Sequence, residues 1–348
     1  MVVLLSAIIT PQSINASSDG GELAIKETIF HHLGDGYGWE VPFSHHHRIP
    51  LPIIICDSEG DWHCFMSSKV AHGETYNGFY IAENGDYSGK VVGTDANGNE
   101  YRPLDLSITK NVLALFISML VVLLCVFSVA RWHKRNGYKA PRKGVGAIEA
   151  LIAFVYDGVI KSTLKENARR FAPYLLTVFF FIFVMNLLGL IVIFPGGANL
   201  TGNVAVTLVL ATLTFLVTNI FGTKHYWKDI FWPDVPLLLK FPLPIMPVIE
   251  IFGMFTKPAA LTVRLFANMM GGHMIVIALT MLIFIFAPMG AAVAGATTVV
   301  SVIFSIFMLL IDVLVSFIQA YVFTMLSTIF IALAQENPHH DAEHHDEK

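Results

Sequence analysis

Polar and apolar positions alternate in two quite different ways along this chain. Residues 17–107 are polar and rich in Gly, Asp, Asn and Tyr. Short alternating runs there, Gly78-Phe79-Tyr80-Ile81 and Lys90-Val91-Val92-Gly93, are interrupted by Asn84-Gly85 and Asn97-Gly98. Those dipeptides favour hairpin turns, so the pattern predicts a small β-rich module. From Ile108 onward the chain changes to long apolar blocks, and blocks of about 20 apolar residues cross a bilayer. Spans are predicted over 108–130, over 171–194 up to Pro195-Gly196-Gly197, and over 204–221. Two longer blocks, 245–287 and 294–334, are each near 40 residues. No Gly/Pro/Asn cluster breaks 294–334, which favours one long tilted helix over a hairpin. Residues 146–165 are less apolar and end in Lys161, Lys165, Arg169 and Arg170, as an amphipathic helix on a membrane surface does. The expected fold class is an all-α polytopic membrane protein with about five crossing helices, two of them long and tilted. One amphipathic surface helix and a small β-rich extracytoplasmic N-terminal module complete it.

Composition agrees. Of 348 residues 55% are hydrophobic and 14% charged, where a soluble domain carries about 25% charged residues. Charge distribution supplies orientation. Residues 1–107 hold 14 acids and 5 bases, whereas 131–143 hold six Lys or Arg and no acid. A short basic loop next to a span stays in the cytoplasm, so the N-terminal module is expected outside and the C-terminus inside. Residues 1–16 have the apolar stretch of a secretory signal, with Ala16 as a possible cleavage point, but no basic start. The expected organisation is a possible signal segment over 1–16 and the β-rich segment over 17–107. The membrane domain covers 108–335 and a solvated His/acid-rich tail 336–348. Three cysteines are too few for a disulfide framework. Cys56 and Cys64 flank a turn and stand equally well as a bridge or as two thiols.

Ionisable residues inside spans are costly and therefore point to function. The fourth block carries Glu250, Lys257, Arg264 and His273. At 100° per residue, Glu250, Lys257, Arg264 and Asn268 fall within about 40° of one another. Arg264 lies about 21 Å beyond Glu250 along the axis, near mid-membrane. A guanidinium keeps its proton at any usable pH, so it attracts a carboxylate and repels a cation without relaying a proton. It either pairs with an acid of its own chain as a lock or faces a partner. Ala260, Ala267, Gly271 and Gly272 around it favour a partner, because small residues let another helix come close. The fifth block carries Ser301, Ser305, Asp312, Ser316 and Gln319 within about 60°, as a wet surface or a buried seam would. His273 is either a hydrogen-bonded core histidine or the partner of Asp312, since an acid in hydrocarbon is protonated or paired. It points roughly opposite Arg264.

Leu261-Thr262-Val263-Arg264-Leu265-Phe266-Ala267-Asn268-Met269 resembles the L-x-x-R-L-x-x-N-M signature of subunit a of F-type ATP synthases. Glu250 and Lys257-Pro258 stand at that family's spacing, and Phe317-Ile318-Gln319-Ala320-Tyr321-Val322-Phe323 is similar to its last-helix segment. Met185 to Leu190 and Asn203 to Thr207 match earlier helices, and Thr28 to Leu33 resembles its N-terminal opening. The resemblance covers 108–335 well and 25–43 weakly. It implies a proton-translocating stator subunit with two aqueous half-channels against a c-ring. Arg264 would meet the c-ring carboxylate and bar a leak, with Gln319 beside it. Asn268 and Glu250 would belong to the cytoplasmic half-channel, and Asn186, His273 and Asp312 to the outer one, with Ser316 on the proton path. Partners would be the c-ring, b-type stalk subunits and lipid in the cell inner membrane, with no nucleic acid, cofactor or metal. The family often has an acid at Gly189 and a serine at Ala260, and its usual N-terminal segment is shorter than 44–104 makes this one. The order His273 then Asp312 is exchanged in other members. No G-x-x-x-x-G-K-[ST] loop occurs, so no nucleotide is handled on this chain. A self-contained secondary transporter is the alternative, without the internal repeats of that class. A membrane anchor for the β-rich module leaves Arg264 and Asp312 without a role.

Overall fold

A computed structural model of the chain describes residues 35–40, 48–58, 60–82, 87–94, 100–137, 139, 141, 144–191, 200–231, 245–286 and 291–335. The signal-like start, the Thr28–Leu33 motif, both Asn-Gly turns, Pro195-Gly196-Gly197 and the His-rich tail lie outside these residues. So does the side chain of His273. The chain divides into two compact units. One comprises Met1–Met119, Met185–Leu200 and Gly271–Val313; the other comprises Leu120–Val184, Thr201–Met270 and Leu314–Lys348.

In the first unit the polar segment folds as the β-rich module its alternation predicts. Strand β1 (Gly38–Glu40) pairs with β2 (Arg48–Pro50). Strand β3 (Pro52–Cys56) lies between β4 (Trp62–Met66) and β8 (Leu104–Asp105). A second sheet has β6 (Val91–Thr94) between β5 (Phe79–Ile81) and β7 (Glu100–Tyr101). All these pairs are antiparallel. Residues Tyr37, Ile53, Ile55, Phe65, Val70, Phe79 and Val91 form the core. Ile53 and Ile55 are fully buried, each worth about 1.5–3 kcal/mol. Three tyrosine–carboxylate hydrogen bonds close the rim: Tyr37 to Asp105, Tyr80 to Glu100 and Tyr101 to Asp57. Cys56 and Cys64 are both free thiols; in register Cys56 faces Trp62, and Cys64 faces Ile54.

Helix α1 (Lys110–Asn136) begins almost as predicted but runs on through the basic cluster to Asn136. Basic residues in a last turn favour the helix dipole, so the charges extend the helix rather than end it. His133 Nε2 meets Glu149 Oε1 at 3.2 Å on α2 (Gly144–Val155). The expected single amphipathic helix over 146–165 is a broken one. A π-turn spans Tyr156–Lys161, and Lys165 takes φ 47° before helix α3 (Ala168–Leu190) begins. A non-glycine residue is strained there. Val155, Val159, Ile160 and Leu164 are buried on one side, and Asp157 and Lys161 pair at 3.8 Å in solvent on the other.

Helix α4 (Val204–Ile220) starts at Asn203, whose Oδ1 accepts from the Ala205 amide at 3.0 Å. Short α5 (Lys224–Phe231) follows. The two longest blocks are each one continuous helix: α6 (Ile245–Phe286) and α7 (Ala291–Gln335). Among the described residues four stretches are long and apolar enough to cross a membrane: Lys110–Asn136, Gly144–Leu190, Val248–Val276 and Gly295–Gln335. Val204–Ile220 is a fifth, shorter apolar helix. In the second unit the helices interlock through aromatic rings and hydroxyls. Phe317 packs edge-on against Phe179 and Phe183. Thr214 links Tyr174 at 3.0 Å to Ser327 at 3.4 Å. The Thr223 amide donates to the Ala334 carbonyl at 2.9 Å, tying the end of α4 to the end of α7.

Candidate functional site

Arg264 is exposed on α6. Its neighbours Ala260, Val263, Ala267 and Asn268 are exposed as well. Among the described residues the guanidinium has no ion pair and no hydrogen bond, so the lock with an acid of this chain is not seen there. The small-residue surface predicted around it is open. Gly272, in the first unit, has the space at its Cβ position taken by Asp312.

Asn268, one turn further, donates from Nδ2 to Gln319 Oε1 on α7 at 2.6 Å. Gln319 is 2% exposed, and its Nε2 has no partner among the described residues. Two residues that the periodicity put on separate helix faces are thus one hydrogen-bonded pair. Ser316, one turn before Gln319, is buried too. Lys257 lies over the Phe330 ring at 5.5 Å.

The second unit also holds a feature the predicted site residues did not include. A cavity of about 20 Å³ is lined by Thr214, Thr218, Asn219, Tyr226, Lys257 and Phe330, among others. About 10–15 Å³ with polar walls holds one water. Tyr226 Oη donates to Asn219 Oδ1 at 3.4 Å. Burial, and then the charge of Glu250, pushes the Tyr226 phenol above its ordinary range. A signal for this site exists in the sequence: Thr207, Thr214 and Thr218 fall within about 40° on an otherwise apolar helix, and all three are buried.

The first unit holds the other predicted residues. Asn186 is 2% exposed on α3. Asp312 is half-buried on α7, and its carboxylate lies against Gly272 of α6. A Cβ on Gly272 would stand 2.7 Å from Asp312 Oδ1. The backbone position of His273 is therefore next to the residue that touches Asp312. Ser301 and Ser305 are buried on the same stripe, and neither Oγ has a partner among the described residues. The stripe is a buried seam rather than an open surface.

Comparison with known proteins identifies the lineage of this helical domain. The family described as "ATP synthase A chain" matches residues 112–332. A family described as "Domain of unknown function (DUF8433)" matches 28–107. Similar proteins include ATP synthase subunit a of Chlorobium phaeobacteroides (strain DSM 266), 42% identical over 69% of this chain and 68% of its own length. Subunit a of Pelodictyon phaeoclathratiforme is 39% identical over 78% of this chain and 80% of its own. Subunit a of Myxococcus xanthus is 41% identical over 69% and 77%. With its multi-pass apolar helices and a family match across nearly all of them, the chain belongs to the ATP synthase subunit a family, the proton-translocating membrane subunits of that enzyme.

Proposed function

We propose that this chain is the stator against which a c-ring turns, with Arg264 as the fixed charge between two aqueous half-channels. The observation that carries this is an exposed mid-helix guanidinium on a small-residue surface, without an anion among the described residues. A cation in hydrocarbon is unstable alone. A carboxylate carried past it on the ring supplies the missing charge. An opposite charge within about 4–6 Å lowers a carboxylate pKa by about 1–3 units, so each ring carboxylate ionises as it meets Arg264. Because the guanidinium never releases its own proton, no proton crosses directly from one half-channel to the other.

The Asn268–Gln319 hydrogen bond ties α6 to α7 one turn from the arginine, with Asn268 on the exposed side toward the ring and Gln319 buried behind it. On the cytoplasmic side, Glu250 with the Tyr226 and Asn219 cavity forms a polar route away from it. On the outer side, Asn186, His273 and Asp312 receive the proton. The buried hydroxyls of Ser301 and Ser305, without partners among the described residues, supply the hydrogen-bonding groups that a file of water needs. Further partners in this reading are b-type stalk subunits and bilayer lipid in the cell inner membrane, with the β-rich module outside and the C-terminus in the cytoplasm. Arg264→Ala tests it. Inverted vesicles carrying an assembled Arg264→Ala complex are expected to show no ATP-driven proton uptake, and normal coupled uptake would overturn the reading.

A further inference from the structure

The β-rich module carries a surface that proton translocation does not use. In the sheet β4-β3-β8, Pro52 pairs with Met66, Ile54 with Cys64, and Cys56 with both Trp62 and Leu104. The ladder continues toward α1, because the Leu106 amide donates to the Ile54 carbonyl and the Ile108 amide to the Pro52 carbonyl, at 2.9 and 3.1 Å. One face of the sheet is therefore three rows: Met66-Pro52-Ile108, Cys64-Ile54-Leu106 and Trp62-Cys56-Leu104. Every side chain in it is apolar or a thiol. The other face already supplies the core through Ile53, Ile55 and Phe65, all 6% exposed or less. An antiparallel sheet with one face on a core ordinarily turns polar residues outward. Here Trp62, Leu104, Leu106 and Met66 are 59, 62, 58 and 45% exposed.

We propose that this face is seated in the headgroup–acyl boundary of the bilayer, on the module's side of the membrane. The argument for lipid is continuity. Ile108, in the lowest row, stands two residues before α1 begins at Lys110. Val112, Phe116 and Met119 on α1 are 37, 50 and 47% exposed, so the apolar surface of the sheet leads directly into the apolar surface of a membrane helix. The one charge between Ile108 and Val112 is Lys110, the first residue of the helix, at the level where a lysine keeps its stem along apolar surface and its ammonium among headgroups. Trp62 brings an amphipathic ring of the kind that favours the interface. Rows two residues apart make the face about 13 Å tall, whereas the headgroup layer is about 5–8 Å thick. The sheet must therefore lean over onto the bilayer rather than stand on it. This surface is independent of the proton path, so neither proposal falls with the other.

The native Cys64 is the probe. In the assembled complex with Cys56→Ala and Cys125→Ala, a nitroxide on Cys64 is placed in lipid vesicles. Its collisions with molecular oxygen are expected to exceed those with a water-soluble nickel chelate. The reverse is expected for a label on Thr94→Cys, an exposed position of β6 in the same module. Nickel dominating at Cys64, as at Thr94→Cys, would show a solvated face and overturn the proposal. Low collision with both reagents would show a protein cover and overturn it equally. A label-free measurement repeats the test: brominated lipids are expected to quench a tryptophan component that Trp62→Phe removes. An unchanged quenched component in Trp62→Phe would count against lipid contact.

Discussion

Adding one methyl group at Gly272 is the sharpest perturbation of the proposed outer route. A Cβ there would meet Asp312 Oδ1 at 2.7 Å and Cγ at 3.1 Å, while ordinary contact begins at 3.4 Å. The carboxylate must retreat by roughly 0.7 Å, the difference between those distances. It can do so by side-chain rotation, so folding changes little. Alanine gains about 1 kcal/mol of helix propensity over glycine, against about 1–3 kcal/mol for added volume. Proton transfer is less forgiving, since a misplacement of about 1 Å can lower a rate about 100-fold. Gly272→Ala is therefore expected to lower ATP-driven proton uptake by about 10-fold in inverted vesicles, with normal subunit content. Gly295→Ala is the control. Gly295 is also helical, but nothing lies within 4 Å of its Cβ position, so uptake should be unchanged. Wild-type uptake by Gly272→Ala, or an equal loss in Gly295→Ala, would refute the reasoning.

Two further outcomes follow from contacts already described. Asn268→Ala strands the buried Gln319 Oε1 and is expected to lower the stability of the purified chain by about 1–3 kcal/mol. Gln319→Leu removes that acceptor together with an Nε2 that has no described partner, so its denaturation midpoint should move less; the opposite ranking would count against the pair. In the β-rich module the Tyr101 hydroxyl, by its hydrogen bond, holds the Asp57 carboxyl below its ordinary 3.8. A depressed folded value contributes stability above the unfolded value, and this is lost as pH falls through the folded one. Tyr101→Phe should raise the Asp57 titration midpoint toward 3.8 in carboxyl NMR and flatten the acid dependence of the module below about pH 4. An unmoved midpoint would discard the bond.

What was legible in the sequence was what the bilayer dictates. Long apolar blocks have few alternatives, and α6 and α7 match their blocks to within a few residues. The broken helix over 144–167 was not legible, because a π-turn leaves no compositional mark and Lys165 at positive φ breaks an ordinary preference. Within the site, periodicity placed Arg264 and Asn268 on one stripe and Gln319 on another. Whether two stripes touch depends on how each helix is rotated against its neighbour, which periodicity leaves open. The Asn268–Gln319 bond needed the packed helices. So did the Tyr226 cavity, although the threonines of α4 carried a readable pattern.

The Gly271-Gly272 pair shows the same limit at its smallest scale. In the sequence both are small residues near an arginine, with equal claim to a surface that admits a partner helix. Adjacent helical positions point about 100° apart, so they cannot face the same neighbour. A Cβ on Gly271 would meet nothing within 4 Å, while one on Gly272 would meet a carboxylate. Gly271 is seven residues beyond Arg264, hence within about 20° of its direction, and continues the face proposed for the ring. Gly272 leaves room within the chain for Asp312. Gly272 is thus the member of the pair that a side chain would disturb within the chain, because its Cβ would meet Asp312, whereas Gly271 has open space that the proposed ring would use.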